Sequence, residues 1–167
     1  MEILDLNHLN MISPYALWKT ENNGNEYAFH TDCGVQYRIR FDINQNIWEN
    51  GVYEFGIYND NGRTSPSDLK VKQTIISVIE EFFVSNPDIL LYQCETGDNK
   101  QDARQRLFYR WFNESPNKAR YVLKVSSIIV EGIVNYIALI ANRNNPNIDS
   151  IVKGFDEFIG FFNHKPE

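Results

Sequence analysis

The chain has little of what covalent, metal or membrane chemistry needs. It carries two cysteines and three histidines in 167 residues. Cys33 and Cys94 stand far apart, with no CxxC and no Cys/His cluster, which removes the usual zinc and redox frames. GxSxG, the P-loop and the dinucleotide fingerprint are all missing. The longest apolar run, IALIA at 137–141, falls well short of the roughly 20 residues that cross a bilayer. The first residues, MEILDLNHLN, place no charged segment before an apolar core, so no secretory leader is expected. These absences predict a cytoplasmic protein with free thiols, both buried as small apolar residues. His8 and His164 lie near the ends. His30 and Cys33, three apart on a strand, would point to opposite faces. No catalytic residue, metal ligand or cofactor is therefore expected.

Aromatic residues are plentiful, at 14%, and apolar residues run in periodic blocks, as in a folded globule. The length suits a single domain over residues 1–167. The net charge of −6 argues against a dedicated nucleic-acid binder. It is unevenly spread: residues 99–124 hold seven basic and two acidic groups. Arg38 and Arg40, with Tyr53 nearby, suggest a wet strand face able to stack bases. However, Glu26, Asp32, Asp42 and Glu54 decorate the same region and would repel phosphates.

The pattern along the chain is β-rich first. PYALWKT (14–20) and EYAFHTD (26–32) flank ENNGNE, where Asn-Gly predicts a turn. Val35, Tyr37, Ile39, Phe41 and Ile43 alternate with Gln36, Arg38, Arg40 and Asp42, the period of a half-buried strand. VYEFGIYN (52–59) follows. Ser65 as cap and Pro66 at the first position predict a helix to about Val84, with an inner stripe of Val71, Ile75, Val78, Ile79 and Phe82. DILLYQC (88–94) reads as a central strand. A second helix runs over about 99–113, with Asp98 as cap and Gln101 three residues on. RYVLKVSSIIV (120–130) and IVNYIALIA (133–141), split by Glu131-Gly132, predict a hairpin. Asn145 and Pro146 then open a strongly amphipathic terminal helix. Its Gly154 and Gly160 suggest close approach to the sheet. Strands in runs, without strict alternation, predict an α+β fold. The expected architecture is a mainly antiparallel sheet of six or seven strands with about three helices packed on one face.

Arg104 is the unusual residue. On a helical wheel it falls among Leu107, Phe108 and Trp111, in the apolar half of its helix. A guanidinium cannot shed its charge, so a buried one needs paired acceptors. In the structural reading it forks onto a carboxylate, with Glu95 and Asp98 closest in sequence, and pins the loop before the helix. In the functional reading it awaits an anion, with Glu95 and Asp98 orienting it, Trp111 as wall and the helix N–H groups assisting. Glu95, Asp98 and Asp102 also offer oxygens to a metal, but loop carboxylates ahead of a helix serve mainly as caps.

The strand, the acidic loop and the helix DARQRLFYRWFNE resemble a family of small uncharacterised bacterial proteins, a domain of unknown function with an Asp-rich loop followed by an ARxRLFxRWF helix. The matching residues are Ala103, Arg104, Arg106, Leu107, Phe108, Arg110, Trp111 and Phe112. The resemblance implies no activity and no catalytic residues.

By exclusion, the expected function is a non-catalytic protein-interaction or binding module, its partner another protein or a second copy. The alternatives are an enzyme or sensor of a small anionic ligand, using Glu95, Asp98, Arg104 and Trp111, and an RNA-related activity through residues 99–124. Neither nucleic acid nor membrane is the preferred partner.

Overall fold

The Asp5 carboxylate accepts hydrogen bonds from the backbone N–H groups of Asn7 and His8, at 3.0 and 3.1 Å. It thereby caps helix α1, Leu6–Ile12. The computed structural model describes residues 4–22, 24–45, 48, 52–64, 66–87, 89–94 and 98–164. After α1 come β1 (Trp18–Lys19), β2 (Asn25–His30), β3 (Gln36–Asn44), β4 (Val52–Asn59), α2 (Leu69–Ser85), β5 (Leu90–Gln93) and α3 (Gln101–Glu114). A short 3-10 turn, Lys118–Arg120, leads to β6 (Tyr121–Val130), β7 (Ile133–Asn142) and α4 (Ile148–Asn163). The strands form an open sheet in the order β1-β2-β3-β4-β5-β7-β6, mixed but mostly antiparallel. This is the α+β fold with seven strands, and four helices instead of about three. α1 corrects the expectation of an all-β first third: it is too short for apolar periodicity to register, and burial of Leu9 holds it. β1 covers only two residues of the expected strand at 14–20.

The chain divides into two compact units, Met1–Asp42 with Phe55–Pro87, and Ile43–Glu54 with Asp88–Glu167. In the first, Val35, Ile39 and Phe41 point inward as the alternation predicts and Tyr37 is half-buried; Ile43, expected on the same buried face, is exposed. Phe82 of α2 stacks on Phe41, with ring centroids 5.3 Å apart. The five expected stripe residues of α2 are all buried. Its start lies further on than expected: Pro66 precedes the helix, and Asp68 caps it by accepting from the Lys70 N–H at 2.8 Å. Ser65, the expected cap, lies outside the described residues, as does Asn23 of the Asn-Gly turn. Glu81, buried on α2, meets His8 of α1 at 2.5 Å, which gives this carboxylate the partner that burial demands. Arg38 is held by Glu26 and Asp60, and Arg40 by Asp42. Cys33 is exposed, contrary to expectation, whereas Cys94 is buried. Tyr53, expected beside the strand arginines on a wet face, is buried as well.

In the second unit β6 and β7 pair along their whole length, Val130 opposite Ile133 and Tyr121 opposite Asn142. Glu131 and Gly132 both take positive φ, 51° and 77°, the conformation that a tight two-residue hairpin turn requires. Register fixes the faces. Leu91, Ile137, Leu139 and Ala141 join Phe155 of α4 in one apolar cluster. Tyr92, one residue along from Leu91, stacks on Phe108 of α3 at 4.1 Å. Successive strand residues point to opposite faces, so α3 and α4 cover opposite sides of this unit's sheet. That corrects the expectation of helices on one face. α4 begins at Ile148; Asn145 accepts from the Asn147 N–H at 2.9 Å in the turn before it. Gly154 makes room for the Trp48 indole and not for the sheet, since a Cβ there would lie 2.5 Å from Trp48 Nε1. Around Gly160 a Cβ would meet nothing within 4 Å.

Candidate functional site

The start of α3 is where the sequence placed its candidate ligand residues. Asp98 is not the helix cap: the capping position is Lys100, without a side-chain bond. The Asp98 carboxylate instead accepts from the Lys100 N–H at 3.1 Å and from both ends of the Arg104 fork, Nη1 at 2.6 Å and Nη2 at 2.5 Å. This bidentate pair ties the loop to the first turns of α3, as the structural reading expected. Glu95 lies outside the described residues. Trp111 is half-buried, two turns beyond Arg104 and nearly in line with it along the helix.

Arg104 is less buried than the wheel implied. Its side chain keeps 33% exposure. The buried centre of α3 is Phe108 and Phe112, not the arc between Trp111 and Arg104. The reason is tertiary. Phe108 stacks on Tyr92 of β5, and Phe112 meets Tyr121 of β6 edge-on at 5.8 Å. Anchoring those two rings rotates Arg104 to the rim, where water helps to solvate it.

The electrostatics match this geometry. The Arg104 fork, assisted by the Lys100 N–H, holds the Asp98 carboxyl down at about 2. Nearby, burial pushes the Tyr92 phenol and the Cys94 thiol upward, and their side chains are hydrogen-bonded to each other. A thiol so placed is a packing group and a poor nucleophile. Further along, Asp102 accepts from the Tyr136 hydroxyl at 2.8 Å and pairs with Arg106 at 2.6 Å, the i,i+4 pair that the sequence predicts. Among the described residues no group of three or more His, Cys, Asp or Glu is placed to hold a metal ion. No helix among them is long and apolar enough to cross a membrane.

Because Arg104 is partly solvated, an Arg104→Gln change is expected to lower the melting temperature by only a few degrees. Asp98 should respond more. Its folded-state value lies below the ordinary value of about 3.9, so its contribution is complete above that value and is lost as pH falls toward about 2. In the glutamine variant the Asp98 titration, followed by carboxyl NMR, should return toward the ordinary carboxylate range. An unmoved titration would show that Arg104 is not what holds it.

A second feature sits at the far end of the β6–β7 hairpin. Ile129, Val130, Ile133 and Val134 are 61, 42, 46 and 38% exposed. Cross-strand pairing puts Ile129 with Val134 on one face and Val130 with Ile133 on the other, so the tip is apolar on both sides. β6 is also an end strand of the sheet. Its one charged residue, Lys124, is drawn onto Asp156 of α4 at 2.6 Å. The sequence signals this hairpin clearly, but exposure of its tip follows only from where the other elements stop.

A family model described as a family of unknown function (DUF6169) matches residues 67–157. The chain belongs to this family. The match runs from the loop before α2 into α4 and so takes in α3 and the whole β6–β7 hairpin. No curated protein and no solved structure matches the chain. Membership of DUF6169 therefore brings no reaction and no ligand, and the candidate surfaces rest on their own chemistry. The residues that the sequence reading missed are the tip isoleucines and valines, and Asn44, Glu54 and Gln93, which converge beneath α4. The first were visible as an apolar run without alternation. The second are scattered over three strands and carried no local signal.

Proposed function

We propose that this chain is a non-catalytic protein-interaction module of the bacterial cytoplasm, and that it docks through the β6 edge and the β6–β7 tip onto a second copy of itself. The observation that supports this most directly is the tip: four β-branched side chains exposed together, on both faces of one hairpin. Contiguous exposed apolar surface of this kind marks interaction sites. The edge supports it too. An end strand offers backbone donors and acceptors for pairing, and proteins guard such strands with charge or proline; on β6 the Tyr121 and Ser127 carbonyls already accept from Arg143 and Asn163, at 3.0 and 3.1 Å. β6 has no proline, and its lysine is occupied by Asp156. Two copies related by a two-fold axis can pair β6 antiparallel, extending the sheet and covering the tips.

The competing readings lack a comparable feature. Asp98 occupies the Arg104 fork that an anion would need to displace. In the basic segment, Arg104, Arg106 and Lys124 each sit on an aspartate.

Sedimentation across a wide concentration range tests the proposal. The wild-type chain should move from one to two chain masses as concentration rises. The double variant Ile129→Glu with Val134→Glu should stay at one, with its melting temperature little changed. A wild-type chain that remains a monomer throughout would overturn the reading.

A further inference from the structure

α4 leaves a space beneath its C-terminal half. A cavity of about 390 Å³ lies between the helix and the sheet of the second unit. That volume falls within the range of small-molecule sites. Its walls are apolar: Leu91 and Ile137 from the sheet, Phe158 and Phe162 from the helix. At one end three polar side chains converge, Asn44 of β3, Glu54 of β4 and Gln93 of β5. Among the lining residues there is no lysine, arginine or histidine.

The polar end has a definite sign. Among the described residues the Glu54 carboxylate accepts a hydrogen bond from Asn44 Nδ2 at 2.8 Å. Among the described residues it has no cation within ion-pair distance. Gln93 donates through its amide nitrogen to Asn135 Oδ1 at 3.4 Å, which turns its carbonyl toward acceptor duty. The end of the cavity therefore presents acceptors, one of them charged, to whatever enters. A carboxylate in partly apolar surroundings gains most from a cation that brings hydrogen-bond donors. The phenylalanine rings nearby favour the same charge through their faces.

We propose that this cavity binds an amphiphilic organic amine, its apolar body among Leu91, Ile137, Phe158 and Phe162 and its ammonium on Glu54. The site takes Ile128 of β6 into its lining, but amine binding there does not depend on the chain's self-association. An amine fits each part of the cavity. A carboxylic acid of the same shape would set like charges against each other, and an alcohol would satisfy the acceptors without neutralising Glu54.

Three probes of matched shape decide it: 4-phenylbutylamine, 4-phenylbutanol and 4-phenylbutyrate, titrated into the full chain by calorimetry. The amine is expected to bind about tenfold or more tightly than the alcohol, with the acid weakest. Glu54→Gln should remove most of the amine's advantage and leave the alcohol unchanged. Ile137→Trp, which fills the cavity, should abolish binding of all three. Indifference to charge, with the acid binding as well as the amine, would overturn the proposal, as would failure of all three at millimolar concentration. If Glu54→Gln lowers the melting temperature, the wild-type ranking of the three probes decides alone.

Discussion

Replacing Phe82 with alanine is expected to lower the unfolding free energy by about 3–5 kcal/mol. Phe82 is fully buried on α2. It stacks on Phe41 with the ring planes 8° apart, and meets Phe83 edge-on at 5.1 Å. Phe41 in turn packs on Phe55 of β4 at 5.2 Å. Removing the central ring takes away its transfer free energy and leaves a hole bounded by rigid aromatic neighbours that cannot collapse into it. The result should be a large fall in the urea midpoint with little change in slope. Val84→Ala, two residues on but exposed, is the control and should stay within about 0.5 kcal/mol. A loss below about 1 kcal/mol at Phe82 would mean that the neighbouring rings refill the space.

Phe155→Ala should have a similar effect in the second unit, again about 3–5 kcal/mol. α4 has a strongly amphipathic sequence, yet Phe155 is its one fully buried side chain. It sits in the cluster formed by Val52, Ile89, Leu91, Leu139 and Ala141. Ile148, Ile151, Phe158, Ile159 and Phe162 pack around that centre while remaining partly open to solvent. The helix therefore depends on Phe155 more than its apolar content suggests. Hydrogen exchange checks this directly. Amides of α4 should lose protection well before those of the β6–β7 ladder, because the ladder keeps its cross-strand bonds and its α3 side. Equal loss in both would show that helix and hairpin open as one.

The local elements were legible where a short-range rule acts alone. Alternation over 35–43 marks β3, because a pleated strand with one buried face needs apolar residues at every second position. Glu131-Gly132 marks the hairpin turn, because positive φ at both positions favours glycine. The stripes of α2 and α4 follow from apolar residues three and four apart. The α1 helix escaped because a capped helix of seven residues is too short to show a periodicity of its own. The starts of α2, α3 and α4 lie beyond the expected caps: Asp68 takes the α2 cap, whereas Asp98 and Asn145 each accept from an N–H in the turn ahead of α3 and α4 and leave those helices without a side-chain cap.

Arg104 shows the same division within one side chain. Its sequence neighbours put it on the apolar half of α3 and supplied Asp98 as a partner, and both readings hold in part. How far it is buried was decided by Tyr92 and Tyr121, on strands that the helix meets only after folding. Gly154 was marked as a close approach, but the partner is Trp48, more than a hundred residues earlier in the chain. Thus the sequence by itself determined the α+β class, most strands and helices, the hairpin turn and the Asp98–Arg104 candidates. Tertiary structure decided the α3 rotation, the division of α3 and α4 between two faces, the exposed hairpin tip and the acceptor-lined cavity at Glu54. Periodicity along a chain encodes which face of an element avoids water, whereas what covers that face depends on elements brought together across long loops.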